Sequence, residues 1–202
     1  VKYMATYLEI AAEKSRGINW VGVNLASHEG VHKCDITNLP TQFMDNEFNG
    51  IYSEHFIEHI YKYQGINFFK EALRIMKPGG TIRTVWPPYE LIERLTGKED
   101  MTHDPFVEAY HRIYCQRHKF PPEGNTHRRI QEQVALGLLY QKGQHLYIWG
   151  ENEMKTTLKD LGFVNVKSWK YQESSVSDFI GIDTPGEIRR LHSAVVEASK
   201  PW

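Results

Sequence analysis

Three groups of side chains in this chain have types and spacings suited to chemistry. His55-Phe56-Ile57-Glu58-His59 is a literal H-x-x-E-H. On a helix it would set two imidazoles four residues apart beside a carboxylate, the ligand pattern of a metal-dependent hydrolase. Such a site needs a further ligand, and Glu132 is an available carboxylate. His145, Tyr147 and Trp149 alternate as on a strand, and a histidine held near neutral pKa can act as a general base toward a hydroxyl. Arg83 and Arg128 are candidates for gripping an anionic substrate. Each group has a plainer reading: a histidine bonded to a carbonyl, or a solvated arginine. Trp86-Pro87-Pro88-Tyr89 is a further short motif, with two prolines between aromatic residues. It reads as a strand end entering a helix, since Pro is favourable in the first helical turn, with Tyr89 left to face a pocket.

Elements must position these groups. Apolar and β-branched runs predict strands at Tyr7–Ala11, Trp20–Leu25, Val31–Asp35, Phe48–Glu54, Thr81–Trp86, Phe163–Tyr171 and Arg190–Glu197. Phe68, Phe69, Ala72, Leu73 and Met76 recur at helical spacing, which predicts a helix over Ile66–Met76. Lys77-Pro78-Gly79-Gly80 ends it in a type II turn. Further helices are expected at Ile130–Tyr140 and Glu153–Leu161, the latter closed by Gly162. Residues 95–145 are polar, with prolines and glycines, and read as an insertion over the mouth of the sheet. Only Ala12–Asn19 separates the first two strands, short for a parallel crossover.

The chain has 202 residues, enough for one domain with a real core. Its net charge of −1 gives no electrostatic footprint for nucleic acid or an anionic membrane. Cys34 and Cys115 lack metal spacing and suit a reducing compartment. With no apolar run of membrane length and no secretory leader, a cytoplasmic enzyme is expected.

The order of motifs resembles the class I S-adenosylmethionine-dependent methyltransferases, the type 11 group above all. The matching residues are Asp35, Phe48, His55 with Glu58-His59, and Lys77-Pro78-Gly79-Gly80. Gly143-Gln144-His145, Gly162-Phe163-Val164-Asn165-Val166 and Val196-Glu197-Ala198-Ser199-Lys200-Pro201 follow in order. The resemblance implies an α/β, Rossmann-like, doubly wound and mostly parallel sheet, with an antiparallel last strand and the order 3-2-1-4-5-7-6. It also implies S-adenosyl-L-methionine as cofactor and methyl transfer to a small-molecule or saccharide-like acceptor. By position, Asp35 with Ile36 would meet the adenine, and Asn24 with Leu25 the ribose. Ala11, Ala12 and Glu13 would form the loop under the methionine part, and Ser53 and His55 would stand near the sulfonium. His55 and His145 are the catalytic candidates, and Tyr89, Arg128 and His145 the substrate-binding ones. No resident metal is implied.

The departures lie in the cofactor half. Ala11-Ala12-Glu13 stands where the family has a glycine loop, and Asn24 where it has an acid. Glu13 would either pair with the cofactor's ammonium or repel its carboxylate. Repulsion predicts weak binding that Glu13→Gly improves. The alternative is a scaffold protein of the same fold that has lost the cofactor, and the H-x-x-E-H hydrolase is a third reading.

Overall fold

A computed structural model describes residues 7–26, 28–97, 100–101, 103–118 and 127–202; the side chains of 114–130 lie outside the description. Strands β1 (Tyr7–Ile10), β2 (Trp20–Asn24), β3 (His32–Lys33), β4 (Phe48–Glu54) and β5 (Met76–Trp86) pair in parallel. β7 (Ala194–Ser199) runs antiparallel between β5 and β6 (Val164–Ser168). The sheet order is β3-β2-β1-β4-β5-β7-β6, as expected.

Alternation along the strands splits the core in two. Leu8, Ile10, Ile51 and Ile82 face α1 (Lys62–Ile75) and α5 (Glu151–Asp160), packing with Phe68, Phe69, Ala72, Met154 and Leu158. Tyr7, Tyr52, Val85 and Val195 face the other way, onto Phe179 and Ile182. α1 starts four residues earlier than its apolar stripe because the Gln64 side chain accepts the Tyr61 N–H at 3.0 Å, closing the first turn. Gly79 sits at φ +78°, as the third position of a type II turn requires.

The short first crossover is real. Residues 11–19 join β1 to β2 as a strap with no helix, yet the strands are parallel, with Tyr7 opposite Trp20. A helix in that connection would cover the Tyr7 face of the sheet. That face is covered instead by the long connection between β6 and β7, which carries Phe179 and Ile182. Arg83 anchors this connection. It is fully buried, bonded to Asp183 through Nε (2.9 Å) and Nη2 (2.5 Å), and to Glu197 through Nη1 (2.9 Å). Arg83 is therefore a structural tie and has no free hydrogen to offer a substrate in its fork toward Asp183.

Several expectations are corrected. The span Arg190–Glu197 is not one strand: α6 (Glu187–His192) precedes β7, because Ile188 and Leu191, three apart, pack onto the insertion. The region 95–145 is not mostly loop. α2 (Tyr89–Thr96), α3 (Pro105–His118) and α4 (His127–Tyr140) make a small helical layer. Its own core joins Leu91, Leu95, Phe106, Val107, Val134 and Ala135. Val31–Asp35 shrinks to a two-residue edge strand, and His145–Trp149 joins no ladder. No helix among the described residues is long and apolar enough to cross a membrane.

Candidate active site

Two cavities open at the carboxyl ends of the central strands, where doubly wound sheets take their ligands. They share Ile10 and Ala11, at the end of β1. The first, about 350 Å³, is mostly apolar and is lined by Asn24, Leu25, Asp35, Ile36, Phe56 and His59 among others. The second, about 340 Å³, is polar and carries Glu13, Lys14, Arg16, Glu54, Thr184 and Arg189. Each is of small-molecule size (~300–1,000 Å³).

Ala11 is the hinge between them. It adopts φ +58°, the left-handed region that glycine takes without penalty. The chain therefore keeps a glycine-like backbone path with an alanine in it. Ala12 is buried and packs against Gly22, where an added Cβ would lie 2.8 Å from the Ala12 Cβ. Asn24 is committed to the strap: its Nδ2 donates to Ala12 O (2.9 Å), and its Oδ1 accepts from Ala26 N (3.1 Å). An aspartate could not make the first bond, which explains the amide here. Asn24 retains one N–H and one lone pair toward the cavity.

Asp35 follows β3 by two residues. Its Oδ1 accepts from Thr37 N (2.9 Å) and Thr37 Oγ1 (2.7 Å), which fixes the carboxylate at the cavity wall. Glu54, at the end of β4, borders the second cavity but is already engaged. It accepts from Tyr52 (2.9 Å), Tyr171 (2.6 Å) and Thr184. Burial alone would raise the Glu54 carboxyl; these donors outweigh it and hold it below its ordinary value. Glu9 is paired with Arg16 at 2.7 Å.

A family model described as a methyltransferase domain matches residues 3–84. That match covers less than half of the chain and is a similarity to the domain. A structure of a SAM-dependent methyltransferase from Archaeoglobus fulgidus is similar at TM-score 0.53 and 15% identity, over 97% of this chain and 86% of that one. A chain of the complex between the Haloferax volcanii Trm112 methyltransferase activator and a methyltransferase is similar at TM-score 0.52 and 14% identity, over 100% and 85%. Phosphoethanolamine N-methyltransferase 2 of Haemonchus contortus, solved with S-adenosyl-L-methionine, is similar at TM-score 0.51 and 13% identity, over 98% and 49%. At these identities the structures bear on the fold. No curated protein matches in sequence.

Within this fold, Ala11, Asn24, Leu25, Asp35 and Ile36 come together around the first cavity, and Glu13 lines the second. Ser53 is fully buried in β4 opposite Ile10 and Thr84, away from both linings. His55 lines neither cavity. It sits at φ +49°, with Nε2 3.0 Å from Ser193 Oγ and Nδ1 2.9 Å from Glu58 Oε1. Residues 57–59 form only a 3-10 turn, so the H-x-x-E-H does not present its histidines on one helix. This removes the geometry of the hydrolase reading. Glu58 is fully buried. Burial would raise its carboxyl, and the His55 ring overrides this and lowers it. His145 stands beside His59 with ring centroids 4.8 Å apart, and burial lowers it from its ordinary value. Tyr89 is exposed and lines neither cavity. Arg128 falls in the first turn of α4, with its side chain outside the described residues.

Sequence reasoning missed His59 and Phe56 as walls of the first cavity, and Arg189 and Thr184 as walls of the second. His59 was within reach, since it sits in the quoted motif. Thr184 and Arg189 come from the far C-terminal connection, and no local pattern announces them.

Proposed function

We propose that the chain transfers a methyl group from S-adenosyl-L-methionine to a small-molecule or saccharide-like acceptor. The observation that carries this is the pair of cavities meeting at Ala11. An apolar one with a fixed carboxylate suits a nucleoside, and a polar one with both charge signs suits a zwitterionic amino-acid end. The glycine-like φ of Ala11 keeps the loop path such a ligand needs.

Leu25 and Ile36 would cover the faces of the adenine, and Asp35 would accept from its amino group or from a hydroxyl through Oδ2. Asn24 would offer its remaining N–H to the ribose. Across Ala11, Glu13 would meet the ammonium, since Glu9 and Glu54 have other partners. Lys14 and Arg189 would meet the carboxylate. When bound, the cofactor supplies an electrophilic methyl on a sulfonium. The chain's own work is binding, orientation and exclusion of water, with helices α2–α4 as the cap. A neutral His145 would serve as base for an acceptor that must lose a proton.

Calorimetric titration with S-adenosylmethionine and S-adenosylhomocysteine tests this. Asp35→Ala should weaken both by about 1–3 kcal/mol, the scale of one lost hydrogen-bond partner. Glu13→Gln should weaken them as well if the carboxylate holds the ammonium. This reverses the improvement expected from the sequence, because Glu13 shares its cavity with Lys14, Arg16 and Arg189. A second reading, a scaffold protein without cofactor, is favoured by Asn24, whose amide is spent on the helixless strap. It predicts no heat with either ligand.

A further inference from the structure

Beside the first cavity lies a cluster of which the methyl-transfer reading uses only His145, and that only for an acceptor that must lose a proton. A carboxylate oxygen of Glu58 and one ring nitrogen each of His59 and His145 lie within 4.8 Å of one another. Glu58 is fully buried, and its Oε2 has no hydrogen-bond partner among the described residues. An orphaned buried carboxylate oxygen is costly, and folded proteins rarely keep one without an occupant.

The two histidines are held in one tautomer. His59 Nδ1 is 3.1 Å from the carbonyl of Gln144, and His145 Nδ1 bonds the carbonyl of Leu138. A carbonyl only accepts, so each Nδ1 carries hydrogen and each Nε2 keeps a bare lone pair. This is how proteins orient an imidazole toward a metal. His55 adds the matching support for the carboxylate: its Nδ1 lies 2.9 Å from Glu58 Oε1, which leaves Oε2 without a partner among the described residues. The backbone holds the parts together, since Leu146 N donates to Glu58 O at 2.8 Å.

The geometry points to a binding site for a divalent transition-metal cation of the zinc and cobalt class, with Glu58, His59 and His145 as its protein ligands. Two imidazoles and one carboxylate are a known donor set for such ions, with the remaining position left to water or another ligand. Tetrahedral ligand atoms lie about 3.3 Å apart at ordinary bond lengths, so the three must draw together modestly on binding. His59 and His145 are only half-buried and have room to do so. The ion would fasten the end of the helical insertion to the turn after β4, at the rim of the first cavity, which His59 and Leu146 both line. His55 acts through Glu58 and is a positioning residue. The site differs from the H-x-x-E-H hydrolase pattern, because His55 supports a ligand and does not serve as one.

Titration of the full chain with Co²⁺ in the absence of cofactor, read by visible absorption and calorimetry, tests the site. The expected result is saturable binding of one ion per chain, displaced by Zn²⁺. His59→Ala and His145→Ala should each weaken binding about tenfold or more, and His55→Ala by about 10–100-fold. His103→Ala, at an exposed histidine away from the cluster, should change nothing. Glu58→Gln should weaken binding with unchanged circular dichroism; if that variant fails to fold, the histidine variants decide. Absence of one-to-one binding would overturn the proposal. So would a His59→Ala/His145→Ala double variant that binds as tightly as the unaltered chain.

Discussion

Ala11 carries the conflict between the family's loop and this sequence. An L-residue in the left-handed region costs roughly 1–2 kcal/mol, of which glycine's greater unfolded freedom returns a part. Ala11→Gly should therefore raise stability by about 0.5–1 kcal/mol in urea unfolding, and it opens space for the ligand at the point where the two cavities meet. Asn24 makes the opposite case. Asn24→Asp restores the family's acid but sets a carboxylate against Ala12 O in place of a donor. Leaving that carbonyl unpaired should cost about 1–3 kcal/mol, read as a lower urea midpoint. Both residues were legible as departures from a family pattern. What they do instead was not: a positive φ and a side-chain bond to a carbonyl twelve residues away leave no mark in a single sequence.

Among the elements, the strands and α1 were legible because their burial pattern is local. Phe48–Glu54 matches the apolar run to the residue. In the insertion, α4 was expected over Ile130–Tyr140 and a helix was expected after Pro88, but α3 was hidden: Phe106 and Val107 lie inside a polar stretch, and the shared core forms only when α2, α3 and α4 meet. The β6–β7 connection was hidden for a similar reason: its anchor is a set of buried charges far apart in sequence. Arg83→Ala would leave Asp183 and Glu197 buried without their cation, at a cost of about 3–5 kcal/mol. It should also disorder the wall that brings Thr184 and Arg189 to the second cavity, detectable as faster amide exchange through residues 171–186. On α1, Glu71 is held at about 2 by Arg74, with Thr41 donating as well. A depressed carboxyl stabilises the fold fully above its unfolded pKa of roughly 4.3 and loses that contribution as pH falls toward 2. The stability gap between the unaltered chain and Glu71→Gln should thus be full at neutral pH and shrink through that window, as urea midpoints at several pH values would report.

At the scale of the whole molecule, a seven-strand sheet in the family's order holds a binding edge rebuilt from unusual parts. A nine-residue strap replaces a crossover helix, and a connection from the far end of the chain covers the face that helix would cover. The edge nonetheless presents an apolar cavity and a charged one, joined at a backbone turn of the conformation a glycine loop would have. The central claim is that this edge binds S-adenosyl-L-methionine. Calorimetric titration of the cofactor into the unaltered chain, Asp35→Ala and Ala11→Gly tests it most directly. The account predicts one-to-one binding that Asp35→Ala weakens and Ala11→Gly strengthens. Flat traces for all three folded proteins, with the cofactor in large excess, would contradict it.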